Sequence, residues 1–203
     1  LLLNTADAPL KNTPGTARLT LHKTGPFPEN GAYKPLQDAY FALFRFKGTE
    51  KDWEDNPDKE ANWEIIKLKE AQGTGEYFKT ANSTVEIDLQ GEGILKGKIQ
   101  AVATDANGNF TITGIPMGHY AITEVQAPAG YVRDYRSFYF NVDSGSATEQ
   151  GATEVKLYTA PKKQDDTTRL NDNTLHNFKR MVHLALVKYD AEKAKPDIEG
   201  QPL

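Results

Sequence analysis

In the stretch GHYAITEVQAPAGYV, residues 118–132, a glutamate occupies a position that a strand would turn toward apolar neighbours. Counting back by twos from Glu124 gives Ile122 and Tyr120, and side chains two apart on a strand share a face. A carboxylate on such a face is costly unless it is paired or protonated, so the rest of the chain has to supply a partner. Two polar residues far away in sequence stand in the same situation. Lys23 alternates with Leu21 and Leu19, and Asn177 alternates with Leu175. Desolvation lowers the pKa of a lysine and raises that of a glutamate, which favours a neutral amine beside a protonated acid, and a neutral amine is a nucleophile. Taken as isolated residues, the three also fit an ordinary ion pair between Lys23 and Glu124, with Lys23 reaching solvent from an edge strand and Asn177 capping a turn.

Other constellations point to less. His22, His119, His176 and His183 show no ligand spacing, and no metal site is expected. GEGILKGK has glycines and a lysine but neither the spacing nor the strand-to-helix setting of a phosphate loop. There is no G-x-S-x-G motif, and nothing calls for a cofactor. The acid run EDNPDKE is read as a solvated loop. With no cysteine, disulfides, thiolate metal sites and thioester chemistry are excluded. A net charge of −4 with interspersed signs gives no footprint for nucleic acid or an anionic membrane surface, and no apolar run is long enough to cross a bilayer.

The elements that must carry Lys23, Glu124 and Asn177 read as strands. ARLTLHK (17–23), AYFALFRF (39–46), NFTITGI (109–115), HYAITEV (119–125), SFYFNV (137–142) and TEVKLYT (153–159) alternate or are rich in β-branched and aromatic residues. Gly, Pro, Asn and Asp separate them, a spacing that predicts an all-β sandwich. Asn107-Gly108 predicts a tight hairpin turn with positive φ at both central residues, and APAGY (127–131) predicts a loop.

Residues 47–100 differ: polar and charged, they carry Trp53 and Trp63 and one further strand signal at STVEIDL. They are read as a large insertion between early strands. Its two tryptophans either bind a host glycan or protein, or pin the insertion to the sandwich. An internal repeat completes the organisation: LTLHK at 19–23 recurs as LALVK at 184–188, and each is followed by Pro-Leu, at Pro35-Leu36 and Pro202-Leu203. Residues 1–16 are therefore expected to be a linker from a preceding domain, 17–180 the sandwich, and 181–203 the first strand of a following domain, cut short. Lys188 would be the counterpart of Lys23 in that next domain.

The strand LTLHK, the strand YFALF, the segment DANGNFTITGIPMGHYAITEVQAPAGY and the late strand NTLHNF together resemble the CnaB domain, prealbumin-like and SpaA-type, of Gram-positive cell-wall surface proteins and pilins. The likeness covers the sandwich strands of 17–180 but not 47–100, and YAITEVQAPAGY follows the family's E-box pattern most closely. The resemblance implies an immunoglobulin-like β-sandwich stabilised by a spontaneous amide bond. It implies that Lys23 is the amine, Asn177 the carboxamide and Glu124 the buried acid that promotes the reaction. Asn173, which keeps the inward face after a two-residue shift in register, is the reserve for Asn177. The implied function is a structural or adhesive module of an extracellular, cell-wall-anchored surface protein or pilus subunit, with neighbouring domains of the same chain as partners and no catalytic turnover. The alternatives are an adhesin that contacts host glycan or protein through 47–100, and an accessory domain of a secreted enzyme.

Overall fold

Inward-pointing residues at every second position build the first strand: Ala17, Leu19, Leu21 and Lys23 of β1 (Ala17–Glu29) are all buried. The computed structural model describes residues 15–70, 77–91, 93–143 and 153–181. After β1 come β2 (Ala32–Pro35), β3 (Tyr40–Phe46), the helix α1 (Glu50–Asp55), β4 (Trp63–Ile66), β5 (Lys69–Glu70), β6 (Lys79–Thr80) and β7 (Thr84–Gln90). They are followed by β8 (Lys96–Ala103), β9 (Asn109–Ile115), β10 (Gly118–Gln126), β11 (Ser137–Val142), β12 (Thr153–Glu154) and β13 (Thr174–His176).

These strands form two sheets. The first runs β12-β1-β9-β6-β5, with β2 and β13 also paired to β1; the second runs β11-β10-β3-β8-β7, with β4 also paired to β3. Leu19, Leu21, Phe110 and Ile112 from the first sheet meet Phe41, Leu43, Tyr120, Ile122, Phe138 and Phe140 from the second in one buried core. The arrangement is the expected all-β sandwich.

Strand β10 is buried from Tyr120 through Val125, on both faces. Its second face is covered by residues of 47–100: Ala121 and Val125 join Phe44, Ile99 and Ala101 in a separate cluster, against which Trp63, Ile65, Ile87 and Leu89 pack. The expected insertion is thus woven into both sheets. β4 and β8 pair with β3, β7 pairs along the whole of β8, and β6 pairs with β9. Its apolar residues alternate strongly enough to bury one face, which a separate excursion would leave wet.

Two turn and strand expectations differ in detail. Asn107-Gly108 does not close a hairpin, because β8 and β9 belong to different sheets. It makes the crossover between them, and only Gly108 of the pair has positive φ, at 74°. The Asp105 side chain accepts the N–H groups of Asn107 and Asn109, each at 2.9 Å, which fixes the turn without a second left-handed residue. TEVKLYT is a strand only at Thr153–Glu154, with two isolated bridges from Tyr158, one to Tyr139 and one to Arg169. Residues 1–14 of the expected linker, the expected following strand from 182 onward, and Lys188 lie outside the described residues.

Candidate functional site

Three strands bring the polar residues together. β13 pairs in parallel with β1, placing Lys23 beside Leu175, and the Asn177 N–H continues the ladder by donating to Thr24 O at 3.0 Å. Across the core, β10 holds Glu124 opposite Phe41 of β3, and the pairing shifts register immediately afterwards, between Glu124 and Gln126. Such bulges re-aim side chains at the rims of sheets. On the far side of β1, the Lys23 N–H donates to Gly108 O at 2.7 Å and the Lys23 carbonyl accepts from the Leu36 N–H at 2.9 Å. The backbone of the lysine is therefore held on one side by the β8–β9 crossover and on the other by the closing strand.

The side chains converge in a dry interior. Lys23 and Glu124 are 0 % exposed and Asn177 is 1 % exposed. Nζ of Lys23 lies 3.4 Å from Glu124 Oε1, and Asn177 Nδ2 donates to the same oxygen at 2.8 Å. The Phe41 ring lies under the amine, 5.5 Å from Nζ to its centroid. Burial pushes the Lys23 pKa down, against the opposing pull of the Glu124 charge. Burial likewise pushes Glu124 up, opposed by Lys23 and by the hydrogen bonds it accepts. Both directions favour a neutral amine beside a protonated acid. Two atoms are left without a hydrogen-bond partner, Lys23 Nζ and Asn177 Oδ1. Buried polar atoms are nearly always paired, so the orphaned carboxamide oxygen calls for the opposite amide orientation. Turning the carboxamide end for end puts Oδ1 where Nδ2 stands, facing Oε1, where a protonated Glu124 can donate to it. A neutral amine next to a carboxamide polarised by an acid has the components for amide exchange.

Asn173 lies elsewhere. Its Nδ2 donates to Thr20 O at 3.0 Å and Val155 O at 2.8 Å, and its Oδ1 accepts from the Leu157 N–H at 2.8 Å. The buried carboxamide is wholly engaged with backbone, stapling the 155–157 segment to β1. Trp53, on α1, is 7 % exposed and stacks on His119 with ring centroids 4.1 Å apart. Trp63 donates from Nε1 to Pro57 O at 2.8 Å and packs against Phe46, Trp53 and Tyr139, with one side on a groove of about 170 Å³ that Asp58 and Glu60 also line. His22 and His176 face away from the pocket, to Asn109 and Thr24. No cluster of metal-ligating side chains occurs among the described residues.

Sequence reading passed over the loop after the E-box. The Asp134 N–H donates to Glu124 Oε2 at 2.7 Å, Arg133 Nε donates to Glu124 O at 2.7 Å, and Arg136 grips the Asp134 carboxylate, with Nη2 to Oδ2 at 2.7 Å. The only signal in VRDYR is charge close behind a buried acid, which is not distinctive.

Compared with known proteins, the chain matches the family model of the SpaA prealbumin-like fold domain over residues 18–156. The chain belongs to this family. The matched span takes in all of β1 but Ala17, together with β10 and Glu124, and ends before β13 and Asn177. No curated protein matches the chain in sequence. Among solved structures it is similar to GBS52, the minor pilin of Streptococcus agalactiae, at 15 % identity and a TM-score of 0.45, covering 86 % of this chain and 49 % of that one. It is also similar to the group B streptococcus pilus 2b backbone protein, at 20 % identity and a TM-score of 0.39, covering 87 % and 46 %. For the Bacillus anthracis TIE protein the identity is 14 % and the TM-score 0.39, covering 81 % and 18 %. The chain thus spans about half or less of each of these solved chains.

Proposed function

We propose that this SpaA-type sandwich is a structural or adhesive module of a Gram-positive surface protein or pilus subunit, displayed outside the cell and held to its wall, in which Lys23 and Asn177 join through an amide bond promoted by Glu124. The observation that carries this reading is the convergence of a buried amine and a buried carboxamide on one oxygen of a buried acid, Lys23 Nζ at 3.4 Å and Asn177 Nδ2 at 2.8 Å from Glu124 Oε1, where the first strand meets the segment after β13.

In the proposed step the neutral Lys23 amine attacks Cγ of Asn177. Glu124 donates to the carboxamide oxygen and stabilises the tetrahedral intermediate. One Nζ proton passes through the Glu124 carboxyl group to Nδ2, the Cγ–Nδ2 bond breaks, and ammonia leaves. The Nζ–Cγ bond remains and Glu124 regains its proton, so atoms and charge balance. Holding amine and carboxamide on paired strands supplies an orientation advantage of roughly 7–11 kcal/mol over free reactants. The reaction runs once per molecule, which makes it self-processing and not turnover. Its product ties the first strand to the residue just after β13, so that tension entering along one leaves along the other. Neighbouring domains of the same chain, and a host-surface protein or glycan, are the partners such a module would have.

Intact mass spectrometry of the purified chain tests the reading. The expected mass is lower than that of the sequence by one ammonia, and Lys23→Ala, Asn177→Ala and Glu124→Ala each restore the full mass. A parent chain at full mass after prolonged folding would falsify it.

A further inference from the structure

Glu124 has two carboxyl oxygens in different surroundings. Oε2 accepts the Asp134 backbone N–H at 2.7 Å, while Oε1 meets Asn177 Nδ2 at 2.8 Å and Lys23 Nζ at 3.4 Å. The backbone N–H on Oε2 cannot turn away, whereas the carboxamide facing Oε1 can present its oxygen in place of Nδ2, so Oε1 is the oxygen that can gain and lose the proton. The loop that supplies this N–H also holds the acid's main chain, through Arg133 Nε on the Glu124 carbonyl. It is tied in turn to the segment carrying Asn177. Val132 N donates to Phe178 O and Arg180 N to Gly130 O, each at 2.8 Å, and Tyr131 bridges to Lys179. Acid and carboxamide are thereby referred to one frame. A cleft of about 430 Å³ is lined by residues 132–136 on one side and by His176, Asn177 and Phe178 on the other.

The loop also sets the charge around the amine. Asp134, its side chain only 11 % exposed, favours a charged Lys23, and Arg136 opposes that effect by pairing with Asp134 through both Nε and Nη2. Among the described residues, the charged groups acting on Lys23 are Glu124 from β10 and Asp134 and Arg136 from the loop. The segment after β13 presents the neutral Asn177, and β3 the ring of Phe41.

Resting on the bond-forming reading above, we propose that residues 133–136 are a positioning clamp: the Asp134 N–H assigns proton transfer to Glu124 Oε1, Arg133 fixes the acid's backbone, and Arg136 pairs with the carboxylate of the residue whose N–H holds the acid, offsetting the pull of that carboxylate on the Lys23 amine. None of the three forms or breaks a bond. They decide which oxygen shuttles the proton and at what pH the amine becomes reactive.

The test follows loss of ammonia over time, by intact mass after acid quench, in full chain recovered unfolded and refolded by dilution at a series of pH values. Arg136→Ala should slow the reaction about tenfold near neutral pH and displace the rate profile to higher pH, because an unopposed Asp134 holds the proton on Lys23. Asp134→Asn keeps the backbone N–H and removes the charge, so its profile should move the other way, to lower pH. Arg136→Lys should recover part of the loss, and Arg133→Ala should slow the reaction without displacing the profile. Opposite displacements are not what a merely structural loop would give. Each variant is also made with Lys23→Ala, and circular dichroism then reports folding apart from reaction. If Arg136→Ala does not fold, the downward displacement in Asp134→Asn still decides. Profiles that superimpose on the parent's, or that move in one direction together, overturn the clamp. A parent that never loses ammonia, or a Glu124→Gln chain that reacts as fast as the parent, overturns the bond-forming reading itself.

Discussion

Lys23 and Glu124 each sit in the pocket with the other's charge as the main compensation for burial. Removing Lys23 takes away the charge that opposes burial at Glu124, so the acid holds its proton more firmly in the folded chain. In Lys23→Met the acid keeps its desolvated site and loses the amine that pulled its pKa down, so its folded-state value stands above the ordinary 4.5 it has when unfolded. Between those two values the folded chain holds a proton that the unfolded chain has released. The stabilisation is therefore complete below the ordinary carboxylate value and is lost as pH rises through the folded one. Urea melts of Lys23→Met should give a clearly higher midpoint at about pH 4.5 than at about pH 8, and adding Glu124→Gln should remove most of that difference. A Lys23→Met chain with the same pH dependence as its Glu124→Gln derivative would mean that the carboxyl group is hydrated in the folded protein.

Among the elements, the β8–β9 crossover has the most direct hold on the lysine. Gly108 has φ 74°, and a Cβ there would lie 2.4 Å from the Lys23 carbonyl oxygen, a backbone atom that cannot swing aside. Gly31 has a similar φ of 83° with nothing within 4 Å of the same added carbon. Gly31→Ala should cost about 1 kcal/mol, the price of the dihedral alone, whereas Gly108→Ala should cost about 2–3 kcal/mol and displace Lys23 from the pocket. Chemical denaturation of the two variants side by side measures the difference. At this scale the sequence was a good guide to individual strands and a poor one to their pairing. NFTITGI spans the same residues as β9, and Lys23, Glu124 and Asn177 could be assigned inward faces because the strand period is two. Alternation says nothing about which strand lies next to which. It could not reveal that residues 47–100 cover the outer face of β3 and β10, or that Asn107-Gly108 crosses between sheets. Asn173 and Asn177 share a face by periodicity, and only the backbone contacts that absorb the Asn173 carboxamide set them apart. The Asp134–Arg136 pair was invisible for a related reason: its meaning depends on a loop folding back over Glu124, which no local pattern encodes.

For the molecule as a whole, the proposed bond would close a loop containing most of the sandwich. Cross-links across loops of this size stabilise by about 4–5 kcal/mol when they add no strain. Asn177→Ala should therefore melt well below the parent and yield to protease at temperatures where the parent is resistant, as differential scanning calorimetry and a timed digest would show. In a pulling experiment from the two ends of the sandwich, the parent should extend only by its flanking residues, while Asn177→Ala should release the length folded between Lys23 and Asn177. Equal extension of the two would rule out a covalent tie. Strand β13 has one further consequence: short as it is, it is the last of the described strands to emerge during synthesis, and under the proposed chemistry it brings the group that the waiting amine needs. A copy broken off before Asn177 would hold a primed but unsealed pocket and stay easy to unravel and destroy. Self-sealing would in that way double as a check on synthesis, sparing only those copies whose translation had run past Asn177.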